Sequence, residues 1–387
     1  MIHKRCSRYT NNAPSTRAMT TLQKSMEALL TLARILLGLV FIFSGFVKAI
    51  DPLGFTYKIH DYLMAFGGSF AQLTSLAFPA AIALSTLELL IGLCFLFKIK
   101  LKVTSVVALL FMGVMLPLTL YIALKNPVTD CGCFGDALKI SNWATFYKNV
   151  VLTILVLLVL IYHRKMRNLF LPGVEWTLIL LFIVLGVGLS VYSQRHLPMM
   201  DFLPYKVGVN IPEAMKVPEG KPLDKYDTKL IYEKDGVQKE FTIENYPQND
   251  STWRFVDQKT TLVSKGYEPP IHNFEIVDAQ GNHVTDDIIH HQGVVNLVVM
   301  YNLAQTAKVG VDKAELLYEQ SKQRGEQFYA VTGSSDEDIA KFVAENKVSF
   351  PLYKADPTTL KTIIRANPGF VKIENGTIKG KWNWRQF

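Results

Sequence analysis

ALLTLARILLGLVFIFSGFV, residues Ala28–Val47, decides the fold class of this chain. Arg34 is its only charged residue, and about 20 consecutive apolar residues are what a helix needs to cross the hydrocarbon core of a membrane. Comparable apolar runs follow at Leu76–Phe97, Val103–Leu124, Asn149–His163 and Trp176–Ser193. Within lipid only helices and closed barrels satisfy their backbone hydrogen bonds, and unbroken runs exclude a barrel. The sequence therefore predicts an α-helical membrane bundle of five spans.

The rest of the chain has a different composition. Of the 387 residues, those after Gln194 are rich in polar and charged side chains, so the mean hydropathy of +0.19 averages a membrane half and a soluble half. The formal charge is +8. Much of the positive charge stands in clusters beside the spans, at residues 4–17, 98–102 and 163–167. That pattern is typical of cytoplasmic loops in a lipid bilayer, and it argues against a nucleic-acid partner.

The basic clusters also predict an orientation. They place the amino terminus in the cytoplasm, and the less basic connections Ala49–Ser75 and Lys125–Lys148 on the other side. Because the number of spans is odd, the chain after Gln194 is also extracytoplasmic. We read the first span as an uncleaved helix and residues 1–27 as a disordered cytoplasmic tail, with Met1, Met19 or Met26 as the start. The expected location is the bacterial inner membrane, with the carboxy-terminal domain in the periplasm.

Two of the four cysteines stand in VTDCGCFGDALKI, Val128–Ile140, between the third and fourth spans. On the predicted extracytoplasmic side a disulfide can persist. A bridge between Cys131 and Cys133 needs a bent backbone, because bridged Cα atoms lie about 4.4–6.8 Å apart, and Gly132 allows that bend. Strained disulfides are the more oxidising ones. The pair is thus a candidate catalytic redox site, and Lys48, at the outer end of the first span, is a candidate to stabilise a thiolate.

Two other interpretations of this loop stay open. Cys131 and Cys133 supply half of a tetrahedral metal site, to which His60 on the other outer loop would add a ligand. Alternatively the loop is a compact structural turn. The sequence identifies no cofactor, and leaves an unknown quinone or metal open. Cys6 and Cys94, in the tail and in the second span, are expected to be inert.

Two charged residues lie inside the predicted spans. At a rise of about 1.5 Å per residue, Arg34 lies about 9 Å and Glu88 about 13 Å from the inner edge of the membrane. The arginine side chain is long enough to cover that difference. We therefore predict a structural ion pair between Arg34 and Glu88 that fixes the packing of the first two spans, a hypothesis that competes with a functional role for these charges.

The membrane half resembles the DoxX/MauE group of small membrane proteins. The resemblance rests on RILLGLVFIFSGFVKAIDPLG (Arg34–Gly54), on Glu88 and above all on DCGCFGD (Asp130–Asp136), and it covers residues 28–163 as a four-helix membrane domain. Residues 164–193 would add a fifth transmembrane helix. The family is associated with methylamine utilisation and with maturation of a disulfide-rich dehydrogenase subunit. The resemblance therefore implies a membrane location and thiol redox chemistry, but no methylamine substrate.

The extracytoplasmic half divides into two predicted parts. Residues 194–267 are expected to form a β-rich insert with a hairpin that turns at Asp235-Gly236. Residues 268–387 alternate strands and helices, at Phe274–Asp278, Val294–Tyr301, Lys313–Gly325, Gln327–Thr332 and Asp336–Lys347, and end in a hairpin at Asn375-Gly376. This alternation predicts an α/β domain around a mixed sheet.

The order of these elements resembles the thioredoxin-like fold, in its TlpA-like and peroxiredoxin-like branches, and Asn367-Pro368 stands where that fold carries a cis-proline. Five spans followed by such a domain resemble fused DoxX-type proteins of Bacteroidota. However, NLAQTA (302–307) replaces the Cys-x-x-Cys of the fold, and no cysteine follows Cys133. Because exchange requires a thiolate, this domain is predicted to bind or pack rather than to catalyse.

The leading hypothesis is therefore a membrane protein that assists extracytoplasmic thiol redox or protein maturation through the Cys131/Cys133 loop, with a protein client or redox partner outside the cytoplasm. The alternatives are a non-catalytic membrane assembly or scaffold factor, and a metal-binding membrane protein. Whether the chain is an enzyme is left open by its sequence.

Overall fold

The computed structural model describes residues 16–387 except 129, 167, 168, 224, 249 and 265. The chain forms two compact units that divide between Leu203 and Pro204. Residues 1–15 of the predicted disordered tail, with Cys6, lie outside the described residues, whereas residues 16–27 are helical.

The first unit is a bundle of helices. They are α1 (Thr16–Ile50), α2 (Pro52–Phe66), α3 (Ala77–Phe97), α4 (Leu101–Lys125), α5 (Asn142–Tyr162) and α6 (Pro172–Arg195), with 3₁₀ turns at Gly68–Leu76 and His163–Lys165. Among the described residues, five helical segments are long and apolar enough to cross a membrane: Lys24–Ile50, Gly68–Leu96, Leu101–Lys125, Asn142–Lys165 and Pro172–Arg195. The predicted number of spans is confirmed.

The fourth span is longer than its apolar run. Its helix begins at Asn142 instead of Asn149, because the side chain of Ser141 accepts a hydrogen bond from the backbone nitrogen of Ala144 and caps the helix. The added first turns carry Trp143 and Tyr147. Aromatic residues of this kind are enriched where a span leaves the hydrocarbon core, so the apolar run alone underestimated the helix.

Glycines bring α1 and α3 into close contact. A Cβ built on Gly45 would lie 2.4 Å from the backbone nitrogen of Leu89, and one built on Gly92 would lie 2.4 Å from that of Ile42. Small residues let the backbones of membrane helices approach this closely. The close packing matters because lipid is as apolar as the helices, so the hydrophobic effect does not hold them together. These contacts set the relative register of the two antiparallel helices, and that register decides which charges meet.

The predicted ion pair between Arg34 and Glu88 is wrong. Arg34 instead donates to the carbonyl oxygens of Phe95 and Leu96, both at 2.5 Å. These belong to the last turn of α3, where carbonyl groups run out of partners within the helix, and the Phe95 oxygen also accepts from the backbone nitrogen of Lys98 just past the helix end. Glu88 pairs with Lys48. Because Gly45 contacts Leu89 and Gly92 contacts Ile42, Glu88 lies at the level of residue 46 of α1. Lys48 is two residues from that level. Arg34 is twelve residues from it, which is about 18 Å along the helix at about 1.5 Å per residue.

The connection after the first span is also helical. Asp51 accepts a hydrogen bond from the backbone nitrogen of Gly54 and caps α2, with Pro52 in the first turn. Proline is favoured there because its missing N–H would have no partner at that position. The outer connection therefore presents the side chains of a helix to the neighbouring cysteine loop.

The second unit begins with a three-stranded antiparallel sheet. Strands β1 (Lys225–Lys234), β2 (Val237–Thr242) and β3 (Arg254–Ser264) are arranged in the order β2-β1-β3. Asp235 and Gly236 connect β1 to β2 with φ values of 54° and 77°. Two successive positive φ angles are required by the tight turn that matches strand twist, so the predicted hairpin is confirmed.

A six-stranded mixed sheet follows. Its strands are β4 (Ile276–Val277), β5 (Val294–Met300), β6 (Gln327–Thr332), β7 (Leu352–Ala355), β8 (Gly369–Glu374) and β9 (Thr377–Asn383), in the order β4-β7-β6-β5-β8-β9. β5 is parallel to β6, and β6 to β7; the other pairs are antiparallel. The helices of this unit are α7 (Ile211–Met215), α8 (Thr285–Ile289), α9 (Lys308–Arg324), α10 (Asp336–Asn346) and α11 (Pro357–Ile363).

The sheet is the centre of an α/β domain with a continuous apolar core. Val298, Phe328 and Phe370 of three adjacent strands are buried against α9 and α10. The Asn367-Pro368 bond is cis. Part of the segment assigned from sequence to the insert joins this domain, since the backbone nitrogens of Gly208 and Ile211 donate to the carbonyls of Ile378 and Gly376.

Candidate thiol redox site

The loop between α4 and α5 forms a tight turn around the two cysteines. Cys131 and Cys133 are joined by a disulfide with their Cα atoms 5.4 Å apart, within the range that bridges require. Gly132 has φ of 62°, and its backbone nitrogen donates to Oδ1 of Asp130 at 2.8 Å. The glycine thus provides the bend that the sequence predicted, because a residue with a Cβ rarely adopts this conformation.

Helix α1 holds one side of this turn through Ser44. Its Oγ lies 2.7 Å from the carbonyl oxygen of Cys133 and 2.6 Å from Oε2 of Glu88, and the single hydroxyl proton is donated to one of these oxygens at a time. Lys48, one turn further along α1, donates to both oxygens of Glu88 at 2.7 and 2.8 Å and to Ser44 at 3.2 Å. The disulfide turn is therefore joined to a buried ion pair through one hydroxyl.

Lys48 is close to the cysteines, as the sequence suggested, but its main partner is different. Its side chain and that of Glu88 are 3% and 4% exposed, so each is the other's neutralising charge. Unpaired burial of either would cost several kcal/mol. The lysine contributes to a smaller extent at Cys133, where it opposes the rise in pKa that Cys131 and burial cause.

Helix α2 holds the opposite side of the turn. Tyr62 donates its phenol to the carbonyl oxygen of Cys131 at 2.6 Å, and Lys58 forms an ion pair of 2.9 Å with Asp130. Burial is the main cause that raises the pKa of Tyr62, so the phenol remains protonated and acts as a donor. These two contacts fix the turn to a helix that begins only after the first span ends.

Helix α5 closes the site from a third direction. Oγ1 of Thr145 lies 3.6 Å from Sγ of Cys131, and Nζ of Lys148 lies 4.3 Å from the ring centroid of Phe134, a distance at which a cation and an aromatic face attract each other. Asn142 donates to the carbonyl oxygen of Val128. The cysteine turn is thus enclosed by α1, α2 and α5, and both cysteines are buried.

The two sulfurs differ when they are reduced. A hydrogen bond from Cys133 is the largest effect on Cys131 and lowers its pKa; burial opposes this, and Thr145 and Lys148 add to the lowering. The same interaction, together with burial, raises the pKa of Cys133 well above the usual range. Cys131 is therefore the sulfur that becomes a thiolate first and leaves more readily from a disulfide.

The metal interpretation finds no set of ligands in the described part of the chain. Cys131 and Cys133 are bonded to each other, and His60 is an exposed residue of α2. Within that part of the chain no three or more His, Cys, Asp and Glu side chains group as a metal site. Cys94 is a buried free thiol of α3, packed among apolar side chains.

The membrane unit matches one family model. Residues 26–162 match the model described as Methylamine utilisation protein MauE. Residues 26–162 form a MauE family domain. This MauE domain contains the whole cysteine turn with Ser44, Lys48, Glu88 and the residues of α2 and α5 that enclose it. The fifth membrane helix and the second unit lie beyond its end.

A second match lies in the rest of the chain. Residues 226–265 match a Domain of unknown function (DUF8463), which corresponds to the three-stranded sheet β2-β1-β3. No curated protein and no solved structure matches the chain. Of the two matched regions, the MauE domain is the one that carries the disulfide.

Sequence reasoning missed several groups of the site. Ser44, Tyr62, Thr145 and Lys148 contact the cysteine turn or the charges beside it, but none belongs to the DCGCFGD motif. One signal was present: Ser44 and Lys48 are four residues apart, which places them on the same face of a helix. For Tyr62 and Lys148 the chain offers no such spacing, since their positions depend on how α2 and α5 pack.

Proposed function

We propose that this protein is an inner-membrane thiol oxidant that introduces or exchanges disulfides in an extracytoplasmic client protein through Cys131 and Cys133. The observation that carries the proposal is the disulfide between residues only two positions apart, enclosed at one end of the MauE domain by Ser44, Tyr62 and Thr145. A metal role is not part of the proposal, because the described residues contain no group of three or more metal-ligating side chains.

The short separation argues against a stabilising role for this bridge. A disulfide stabilises a fold mainly by closing a loop in the unfolded chain, and that contribution grows with loop length. A bridge from residue 131 to residue 133 closes the smallest of loops and connects no distant elements. Its enclosure by three helices is therefore better explained by chemistry at the sulfurs than by cross-linking.

The exchange step balances with a client dithiol. A client thiolate attacks Sγ of Cys133, the disulfide bond breaks, and Cys131 leaves as the thiolate with the lower pKa. The second client thiolate then attacks the client sulfur of this mixed disulfide and releases Cys133. The client loses two electrons and two thiol protons, and the Cys131/Cys133 pair gains both. Lys48 and Glu88 neutralise each other beside the cysteine turn, and as positioning residues they hold the turn through Ser44.

The distribution of basic residues supports the orientation. Lys98 and Lys100 stand between α3 and α4, Lys102 lies in the first turn of α4, and His163–Lys165 follow α5, at the bundle end opposite the cysteine turn. Excess lysine and arginine is retained in the cytoplasm. The proposal therefore places the cysteine turn, and the unit after Leu203, on the extracytoplasmic side of the bacterial inner membrane, where disulfides persist.

The second unit is proposed to recognise the client. Its parallel β5–β6 pair with antiparallel β8 and β9 is the arrangement expected of a thioredoxin-like domain. With no cysteine after Cys133, it has no thiolate for exchange. The same lack supports the competing proposal of a non-catalytic assembly factor, in which the cysteine turn would be only structural.

The redox state of the pair in intact cells separates these two functions. On a Cys6→Ser, Cys94→Ala background we expect Cys131 and Cys133 to resist a maleimide before reduction and to react after it. The Cys131→Ser, Cys133→Ser variant is expected to lose activity toward a client. Cys131→Ser alone is expected to lose it too and to label at Cys133 without reduction, since a client thiolate then has no disulfide to attack.

A serine pair with full function would contradict the redox proposal and favour the assembly factor. So would equal labelling of both thiols with and without reductant. The background variant without further change is the matched control, because Cys94 is the other cysteine of the described chain and packs away from the turn.

A further inference from the structure

A cavity beside the disulfide has no role in the exchange step. Its volume is about 390 Å³, within the range of small-molecule sites. Apart from Lys48 of α1, its lining comes from α2, α3, α4 and the cysteine turn. Most of the wall is apolar, as at Phe55, Leu87 and Phe111, and Tyr62 and Thr119 add two hydroxyl groups. Such walls exclude an ionic or sugar-like ligand, because burying its polar groups without partners is costly.

The cavity reaches the lipid-facing side of the bundle. Leu110 and Val114, one turn apart on α4, line it and are 68% and 66% exposed. Both lie within a membrane span. A ligand that is dissolved in the hydrocarbon core would enter between these side chains without passing through water.

One end of the cavity is polar and contains the disulfide. Lys48, Glu88, Cys131, Gly132 and Cys133 all contribute to its wall. Lys48 is a charged donor with three hydrogen bonds, two to Glu88 and a longer one to Ser44 at 3.2 Å. A ligand carbonyl would engage Lys48 by replacing the bond to Ser44. The cavity thus joins a lipid-facing entrance to a disulfide and a buried cation.

We propose that this cavity binds the ring of a lipid-soluble quinone, which reoxidises the Cys131/Cys133 dithiol. The inference rests on the proposed function, which needs an acceptor for the electrons taken from the client. A quinone is apolar enough for these walls, carries carbonyl oxygens for Lys48, and accepts two electrons with two protons. An acyl chain would fill the walls but offers nothing to the lysine or the sulfurs.

The reoxidation step balances. Two S–H bonds break and the bond between Sγ of Cys131 and Sγ of Cys133 forms. The two electrons and two protons pass to the two carbonyl oxygens of the quinone, which leaves as the hydroquinone. Together with exchange, the net reaction converts a client dithiol and a quinone into a client disulfide and a hydroquinone.

The test uses the full chain, reduced with dithiothreitol and freed of it, in lipid nanodiscs with decylubiquinone. We expect loss of quinone absorbance in proportion to disulfide formed. Val114→Trp places an indole at the cavity wall and should slow this reaction roughly tenfold or more, because a filled cavity has no room for the ring. Ile154→Trp, on an exposed face of α5 away from the cavity lining, is the matched control and should keep the rate.

A second readout is independent of the thiols. In the Cys131→Ser, Cys133→Ser variant an azidoquinone photoprobe should label peptides of α3 and α4, and decylubiquinone should compete. Labelling without competition would mean an acyl-chain cavity only and would overturn the inference. So would a Val114→Trp protein that reduces quinone at the unchanged rate.

Exchange with oxidised and reduced dithiothreitol is measured on the same proteins. If the pair exchanges with dithiothreitol but ignores the quinone, the quinone site is wrong and the thiol function stands. If quinone binds competitively but the pair does not exchange with any dithiol, the thiol function is wrong and the cavity assignment stands.

Discussion

At the scale of single residues, the difference between the two sulfurs depends on few neighbours. Cys131 carries the lowered pKa, chiefly through the hydrogen bond from Cys133, with Thr145 and Lys148 assisting. The thiolate is the reactive form of cysteine. A lowered pKa therefore means that Cys131 remains reactive as the pH falls below about 8.5, the ordinary value for a free thiol.

Lys148 offers a direct check of this assignment. Replacement by methionine removes a cation that favours both thiolates, so we expect the alkylation midpoint of Cys131 in the reduced protein to move to higher pH. Peptide mass spectrometry after iodoacetamide treatment across a pH series measures it. Lys139→Met, at an exposed loop position, is the control and should leave the profile unchanged; an identical shift in both variants would contradict a local effect of Lys148.

At the scale of elements, the approach of α1 to α3 determines the site. Gly45 contacts the backbone of Leu89 one residue from Glu88, so the glycine contact and the ion pair with Lys48 belong to the same stretch of helix. Any side chain at Gly45 must push the helices apart, since its Cβ would meet backbone atoms.

Gly45→Ala is therefore expected to lower the free energy of unfolding by about 1–3 kcal/mol, the usual cost of overpacking. Denaturation of the detergent-solubilised protein, followed by circular dichroism, measures the change. Gly113→Ala, on α4 where no atom lies within 4 Å of the added Cβ, should be neutral or stabilising by up to about 1 kcal/mol, because alanine is the better helix former. Equal destabilisation by both changes would refute the close-contact argument.

The elements also show what the sequence made predictable. Apolar runs gave the five spans, because crossing a membrane imposes a length and composition that few other structures need. Asp235-Gly236 predicted the β1–β2 hairpin because a two-residue turn depends only on whether these two residues accept positive φ angles. The sequence did not reveal that Glu88 pairs with Lys48, because the ends of the apolar runs define the depth of a residue in the membrane only coarsely. The glycine contacts between α1 and α3 set the actual register of the two helices. Tyr62 and Lys148 reach the site only through packing.

At the scale of the whole molecule, the two units divide chemistry from recognition in our proposal. The MauE domain holds the disulfide, and the second unit holds a six-stranded sheet in a stretch without cysteine. The proposal needs both to face the same compartment, which depends on the odd number of spans.

Labelling of single cysteines in intact cells tests this orientation. On the Cys6→Ser, Cys94→Ala, Cys131→Ser, Cys133→Ser background, Val237→Cys in the exposed β2 strand should react with a membrane-impermeant maleimide before lysis. Arg164→Cys, in the exposed basic turn after α5, should react only after lysis, because basic loops stay in the cytoplasm. The reverse pattern would place the cysteine turn in a reducing compartment and remove the basis for its disulfide chemistry.

The small ring that Cys131, Gly132 and Cys133 form has a consequence for turnover. Opening so short a ring frees less conformational entropy than opening a longer loop, so the folding free energies of the oxidised and reduced proteins differ by only about 1–2 kcal/mol. The redox balance of the surroundings then sets the state of the sulfurs without loosening the architecture that carries them. In our proposal the pair can therefore pass between its two states many times while the helices that enclose it keep their packing.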